Sequence, residues 1–304
     1  MDMPGEPRWE RSACPLCGPG RTHVLTRSRD LVRPEDGTVF RVVRCAGCDL
    51  AYVDPRPVRD DMVRYYPSTY GGHRDIVGSE RRVLQRRSKR FDPVAGMAPG
   101  RYLDVGCGGG QAVLRMKAKG WDAVGFEVSP KAVASARAAG LDIRGGAELA
   151  DARLEEGTFD LVTFFCVLPH LHDPLGTLRE VARLLKPDGR VLLTVPTLAS
   201  VNFMLFRDLW YHLDVPRHLY FFSDANLRAM AARTGFVQEG RRFRSGGGGF
   251  KNSLRVLSEV RGVARLVYDF TRFRASRWLV RTFYRFVVDR LRLGDTVDCW
   301  WTKA

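Results

Sequence analysis

Two kinds of spacing in this chain could do chemistry. Near its start, Cys14 and Cys17 in "CPLC" and Cys45 and Cys48 in "CAGC" form two C-x-x-C pairs. Each pair makes a tight knuckle that points two thiolates at one ion, and two knuckles complete a tetrahedron. Four thiolates leave no position open for water, so the chemistry expected is a structural Zn2+ ion. The alternative is four unconnected thiols. The length between the pairs leaves room for a β-hairpin drawn from "VLTRSRD" and "TVFRVVR".

The second spacing lies in "RYLDVGCGGGQAV", residues 101–113, where an apolar run ends in an acid and three glycines precede a helical pattern. Gly106, Gly108 and Gly110 stand one residue tighter than the dinucleotide fingerprint G-x-G-x-x-G. The Lys-Ser/Thr pair of a phosphate-gripping P-loop is missing, since Gln111 and Ala112 follow. Glu127 ends the next apolar run, where a carboxylate accepts hydrogen bonds from both hydroxyls of a ribose. Asp104 would oppose a pyrophosphate but suits a cationic amino-acid group, directly or through water. A ribose acceptor, an acidic loop and no phosphate grip together point to S-adenosylmethionine, with a nicotinamide dinucleotide as the alternative.

These residues need a scaffold, and the pattern along the chain supplies one. "RYLDVG" reads as a strand, 111–119 as a helix, and Gly120 as its stop. "DAVGFEV" is a second strand, after which Ser129 caps a helix carrying Pro130 in its first turn. A short strand "LDIRG" follows, then the nearly continuous apolar "FDLVTFFCV", a helix over 174–185, and the strand "RVLLTVP". Ser223 caps a helix over 224–233, "FVQEGRRFR" is a sixth strand and "GDTVDCWWTKA" a seventh. The expected class is α/β: a seven-stranded, mostly parallel, Rossmann-like sheet with helices on both faces, plus a small N-terminal zinc ribbon. The expected divisions are a zinc ribbon over 1–58, a helical linker or cover over 59–97, and a main domain over 98–304 with a helical insertion at about 250–293.

With those motifs in place, the chain resembles the class I S-adenosylmethionine-dependent methyltransferases. "LDVGCGGG" is similar to their first motif, "GFEVS" to their ribose-binding acid, and "GTFDLVTFFCVLPHLHDP" to their fourth strand and following loop. "LLKPDGRVLLTVP" is similar to their fifth-strand region, and "GDTVDCWWTKA" to their antiparallel seventh strand. "CDLAYVDPRP" resembles the end of the zinc ribbon ahead of methyltransferase domains in many bacterial biosynthetic enzymes, sugar methyltransferases among them. The resemblance implies that Gly106, Gly108 and Gly110 let backbone approach the methionine part, and that Glu127 binds the ribose with Val128 beside the adenine. It also implies that Ala147 and Glu148 meet the adenine edge, and that Cys166 and Val167 offer backbone to the cofactor. For Glu148 a solvated loop acid is the alternative.

Methyl transfer to oxygen or carbon needs a base, whereas an amine need only arrive deprotonated. His170, His172 and Asp173 lie at the exit of the fourth strand, and "WYHLDVPRHLYFFS" holds His212, Asp214, Arg217 and His218. A Pro-Arg-His-Leu run recurs in relatives, in the segment that faces the acceptor. His170 and His218 are the two candidates for general base, each set against a structural histidine that bonds backbone. Pro169 stands where the family often has glutamate, so no role of that glutamate is carried over. Tyr66 or Tyr70 could cover the methionine end, against ordinary packing.

The formal charge of +15 and pI near 9.9 suit an acidic partner: nucleic acid, an anionic membrane surface or a phosphorylated substrate. A merely solvated arginine-rich surface is the alternative. Residues 272–293, "RFRASRWLVRTFYRFVVDRLRL", interleave arginine with aromatics at helical spacing. They suit peripheral contact with an anionic membrane, a packed insertion helix or a homodimer contact. The first residues hold no apolar core of the length a secretory signal needs, so a cytoplasmic location is expected. The expected function is methyl transfer to a small-molecule, glycan or lipid-linked biosynthetic intermediate, first of all at oxygen. The rivals are an RNA methyltransferase and a non-catalytic cofactor-binding module. The first lacks basic-aromatic clusters beside the cysteines and an Asn/Asp-Pro-Pro-aromatic signature.

Overall fold

The computed structural model describes residues 6–67, 77–85, 91, 94–245, 248–261 and 274–304. Tyr70 and the basic residues 86–90 lie outside them. The chain divides into two compact units. One comprises Met1–Tyr65, Val195–Ala229 and Arg241–Asp298; the other comprises Tyr66–Thr194, Met230–Gly240 and Cys299–Ala304.

The first unit begins with short strands: β1 (Trp9–Glu10), β2 (Thr22–Arg29), β3 (Val39–Cys45), β4 (Ala51–Val53) and β5 (Arg56–Pro57). β2 and β3 form the antiparallel hairpin expected between the two cysteine pairs, in a register that sets Thr22 opposite Cys45 and Arg29 opposite Val39. Phe40, Val42, Leu50 and Val53 are buried and give this small sheet its apolar side. β5 returns to pair with β1.

In the second unit, α1 (Glu80–Gln85) precedes a regular alternation. It runs β6 (Arg101–Val105), α2 (Gln111–Lys117), β7 (Asp122–Glu127), α3 (Pro130–Ala138), β8 (Asp142–Gly145), β9 (Phe159–Phe165), α4 (Pro174–Leu184) and β10 (Leu185–Pro196). Ser129 Oγ accepts from the Ala132 amide at the start of α3, as the sequence implied, and Gly120 and Gly140 take positive φ where α2 and α3 end. β6 to β10 pair in parallel in the order β10-β9-β6-β7-β8. From β6 the chain builds outward through β7 and β8, then crosses to the opposite side of β6 for β9. The strand order therefore reverses between β6 and β9, and in an open parallel sheet ligands bind at the carboxyl ends of the strands beside that point. Tyr102, Leu103, Leu161, Val162 and Phe164 are fully buried there; each such apolar side chain contributes about 1.5–3 kcal/mol relative to exposure.

Downstream come α5 (Val201–Phe206), β11 (Tyr220–Phe221), α6 (Asp224–Arg233), β12 (Phe236–Arg244), α7 (Gly248–Arg261), α8 (Arg274–Phe283) and β13 (Thr296–Lys303). β13 and β12 extend the parallel strands to a seven-stranded sheet, ordered β12-β13-β10-β9-β6-β7-β8. β11 goes elsewhere. It pairs antiparallel with β4, Tyr220 opposite Tyr52 and Phe221 opposite Ala51, and completes a four-stranded sheet β11-β4-β3-β2.

Candidate functional site

The glycine loop follows β6 at the reversal of strand order. Gly106, Gly108 and Gly110 have φ of +67°, +54° and +79°, a left-handed conformation that costs other residues about 1–2 kcal/mol. At Gly106 space is also short: a Cβ would lie 2.5 Å from Val167 Cγ2. The loop is held back on β7, with the Cys107 amide donating to the Phe126 carbonyl at 3.0 Å.

Glu127, at the end of β7, is only 5% exposed. Its Oε2 accepts from the Gly108 amide at 2.8 Å and its Oε1 from the Ser129 amide at 2.9 Å. Each carboxylate oxygen accepts more than one hydrogen bond, so two amides fix its plane and leave acceptor capacity for a diol. A cleft of about 530 Å³ opens beside it, lined by Glu127, Val128, Pro130, Val133, Gly146 and Ala147 among others. That is within the size range of small-molecule sites, about 300–1,000 Å³. Val128 is 60% exposed at this cleft. Glu148 is exposed and does not line it; its amide donates to Asp151 Oδ2 at 2.8 Å.

Asp104 is buried, and its place in β6 explains its partner. The parallel register sets it beside Thr163 of β9, whose hydroxyl donates to Asp104 Oδ1 at 2.6 Å. Tyr102, two residues earlier on the same face, lies with its hydroxyl 2.6 Å from Thr163 Oγ1. Since Thr163 gives its proton to Asp104, Tyr102 donates to Thr163. Burial pushes the Tyr102 phenol well above its ordinary pKa and keeps that donor protonated. Sequence reasoning passed over Thr163, although a lone hydroxyl within "FDLVTFFCV" was the signal.

β9 ends at Phe165, and Cys166 turns the chain with φ +61°. Its amide donates to the Thr194 carbonyl at 2.8 Å. Val167 follows, against Gly106, and the His170 amide donates to the Val167 carbonyl at 2.8 Å. Three sequence-derived positions, Gly106, Val167 and His170, thus meet at one corner of this unit. His170 Nδ1 lies 2.9 Å from the Tyr66 hydroxyl. Nothing in the spacing of these two residues announced that pair.

His218 belongs to the other unit. It is buried, and its Nδ1 lies 2.8 Å from the His212 carbonyl. A carbonyl only accepts, so Nδ1 carries the proton and Nε2 is the basic nitrogen. Burial lowers the pKa of His218, against the opposing pull of Asp214. Its neighbour Arg217 is fully buried in a structural role. Arg217 grips both oxygens of Asp30 at 2.8 and 2.6 Å, and donates to Asp214 Oδ1 at 2.9 Å and to the Tyr65 carbonyl at 2.8 Å.

The four sequence-selected cysteines converge. The Sγ atoms of Cys14, Cys17, Cys45 and Cys48 all lie within 4.8 Å of one another, and those of Cys14 and Cys48 are 3.4 Å apart. A tetrahedral zinc with bonds of about 2.3 Å sets sulfur atoms about 3.8 Å apart, so the cluster fits a structural Zn2+ ion. The Asn226 side chain donates to the Cys48 carbonyl at 2.8 Å, which ties one knuckle to α6.

Residues 79–239, more than half of the chain, match the family described as Methyltransferase domain, and the chain belongs to that family. Its strand order and glycine loop are those of the class I S-adenosylmethionine-dependent fold. Among curated relatives, the ubiquinone biosynthesis O-methyltransferase of Xanthomonas oryzae pv. oryzae is 34% identical over 140 residues, 43% of this chain and 59% of its own length. The protein of the same name from Alkalilimnicola ehrlichii is 36% identical over 149 residues, 45% of this chain and 60% of its own. The chain therefore spans about three fifths of the length of the curated relatives it matches. A solved SAM dependent methyltransferase from Archaeoglobus fulgidus is similar with a TM-score of 0.49 and 14% identity, over 75% of this chain and 94% of that one.

Proposed function

We propose that this chain transfers the methyl group of S-adenosylmethionine to an oxygen atom of a small-molecule, glycan or lipid-linked biosynthetic intermediate. The observation that carries the reading is Glu127, a buried carboxylate oriented by two backbone amides beside a cleft of nucleoside size. The sulfonium compound, when bound, supplies an electrophilic methyl group. With it bound, Glu127 would accept from the ribose hydroxyls, Val128 and Ala147 would flank the base, and Asp104, steadied by Thr163, would offer negative charge toward the amino-acid end.

His170 is the general base in this reading. If Nδ1–H donates to the Tyr66 oxygen, Nε2 becomes the basic nitrogen, which takes the acceptor's hydroxyl proton as the methyl group arrives. Tyr66 is thus a positioning residue that holds the imidazole ring through Nδ1. His218 is the second candidate, supported by its enforced Nδ1–H tautomer and a burial that keeps it neutral near pH 7.

Calorimetry with S-adenosylhomocysteine tests the cofactor, and methyl incorporation into fractionated extract of the native host tests the reaction. Glu127→Gln is expected to weaken S-adenosylhomocysteine binding about 10- to 100-fold. His170→Gln is expected to lower methyl incorporation by about 100-fold or more with cofactor affinity unchanged, and Tyr66→Phe to shift the pH profile. Uptake of a dinucleotide in place of the nucleoside would overturn the assignment.

A further inference from the structure

We propose that α8 and the turns that follow it form a docking face for an anionic lipid surface. The segment is helical over Arg274–Phe283 and continues as one wide turn over Tyr284–Val288. One side of it is fastened inward. Tyr284 and Val288 are buried, the Tyr284 hydroxyl donates to Asn202 Oδ1, and its ring packs 5.9 Å from that of Phe250. The Val201 amide donates to the Leu293 carbonyl at 3.0 Å, which secures the far end.

The other side is apolar as well, yet it faces water. Trp278, Leu279, Phe283, Phe286 and Leu291 are 52–65% exposed. Five large apolar side chains exposed within fourteen residues are more than soluble monomers ordinarily leave bare in one place. Arg281, Arg290 and Arg292 are exposed along the same stretch, and the Arg290 guanidinium lies over the Phe286 ring at 5.8 Å.

Charge decides what covers these apolar side chains. Between Arg274 and Arg292 the sequence has six arginines and a single acid, Asp289. That acid is turned away: it is half-buried and accepts from the Ser245 hydroxyl at 2.6 Å. A second copy meeting this face about a two-fold axis would set arginines against arginines, since such an interface matches a patch with itself. An anionic lipid surface instead takes both features, apolar side chains at the acyl boundary and arginines among the headgroups. No helix among the described residues is long and apolar enough to cross a membrane, so the contact lies in the plane of the surface.

Binding to such a surface does not depend on methyl transfer and can be measured without turnover. The full chain is sedimented with phosphatidylcholine vesicles, with and without phosphatidylglycerol, at low and high salt. Retention is expected on the phosphatidylglycerol vesicles at low salt, falling roughly fivefold for each of Arg281→Gln and Arg290→Gln. It is also expected to fail in Phe283→Ser/Leu291→Ser and to weaken at high salt. Unchanged S-adenosylhomocysteine binding certifies that each variant is folded, because these positions lie outside the cofactor residues. Absence of retention at low salt overturns the proposal, as does equal retention on neutral vesicles or retention indifferent to the substitutions. A vesicle-free dimer that Phe283→Ser/Leu291→Ser dissociates would overturn it in favour of a second copy.

Discussion

Gly106 carries two separate demands, a left-handed φ of +67° and a Val167 methyl 2.5 Å from where a Cβ would be. Gly106→Ala therefore combines backbone strain of about 1–2 kcal/mol with a steric clash, and should lower S-adenosylhomocysteine affinity more than about tenfold. Adding Val167→Ala removes the clash but not the strain, so calorimetry on the double variant should find partial recovery. Full recovery would mean that φ is immaterial. The glycines and Glu127 were legible in the sequence because both requirements are local: a turn that only glycine makes easily, and an acid at the end of the next strand. The Tyr66–His170 pair was not, because its members are 104 positions apart and each reads as ordinary by itself. Thr163 lies between these cases. Its hydroxyl interrupts an apolar run, but its partner Asp104 is fixed only by the register of β6 against β9.

Among the elements, the alternation of strands and helices was readable because apolar period, capping residues and terminating glycines agree at each step. β11 was not. Two residues have no period, and Tyr220–Phe221 read as part of an acceptor-facing segment instead of a strand on the β4 edge. Arg217, from the same segment, was weighed for its likeness to relatives, and the structure sets it against Asp30, Asp214 and the Tyr65 carbonyl. Removing one member of such a buried set strands the others. Arg217→Met should cost about 3–5 kcal/mol of stability in urea unfolding, and Arg217→Lys should recover only part because one ammonium cannot reproduce the fork. An effect within about 0.5 kcal/mol would contradict the buried network.

For the whole molecule, net charge and buried histidines set the response to pH. Burial holds His218 below its usual pKa of 6.5, and burial likewise lowers His212, against the raising influence of Asp295. The unfolded chain therefore binds more protons than the folded one as pH falls below about 6.5. Stability from this source is complete above that value and declines on acidification through the lowered folded pKa values. Urea unfolding from pH 7.5 down to about 5 should show this decline, and His218→Gln should flatten it. A slope unchanged in that variant would assign the acid response to other groups. The excess of +15 pointed to an acidic partner without choosing one. That choice needed the exposures along α8, which composition does not contain.

The cysteine-bearing piece at the front takes its outermost strand from residues 220–221, its charge lock from Arg217 and a clasp on Cys48 from Asn226. It is consequently no detachable module. Cut away from the rest of the chain, the first 65 residues would present a bare β4 edge, an unmatched Asp30 and a loosened cysteine knuckle. Inheritance and engineering alike must therefore move the leading segment together with the stretch from 214 to 226, although more than a hundred residues of sheet and helix intervene.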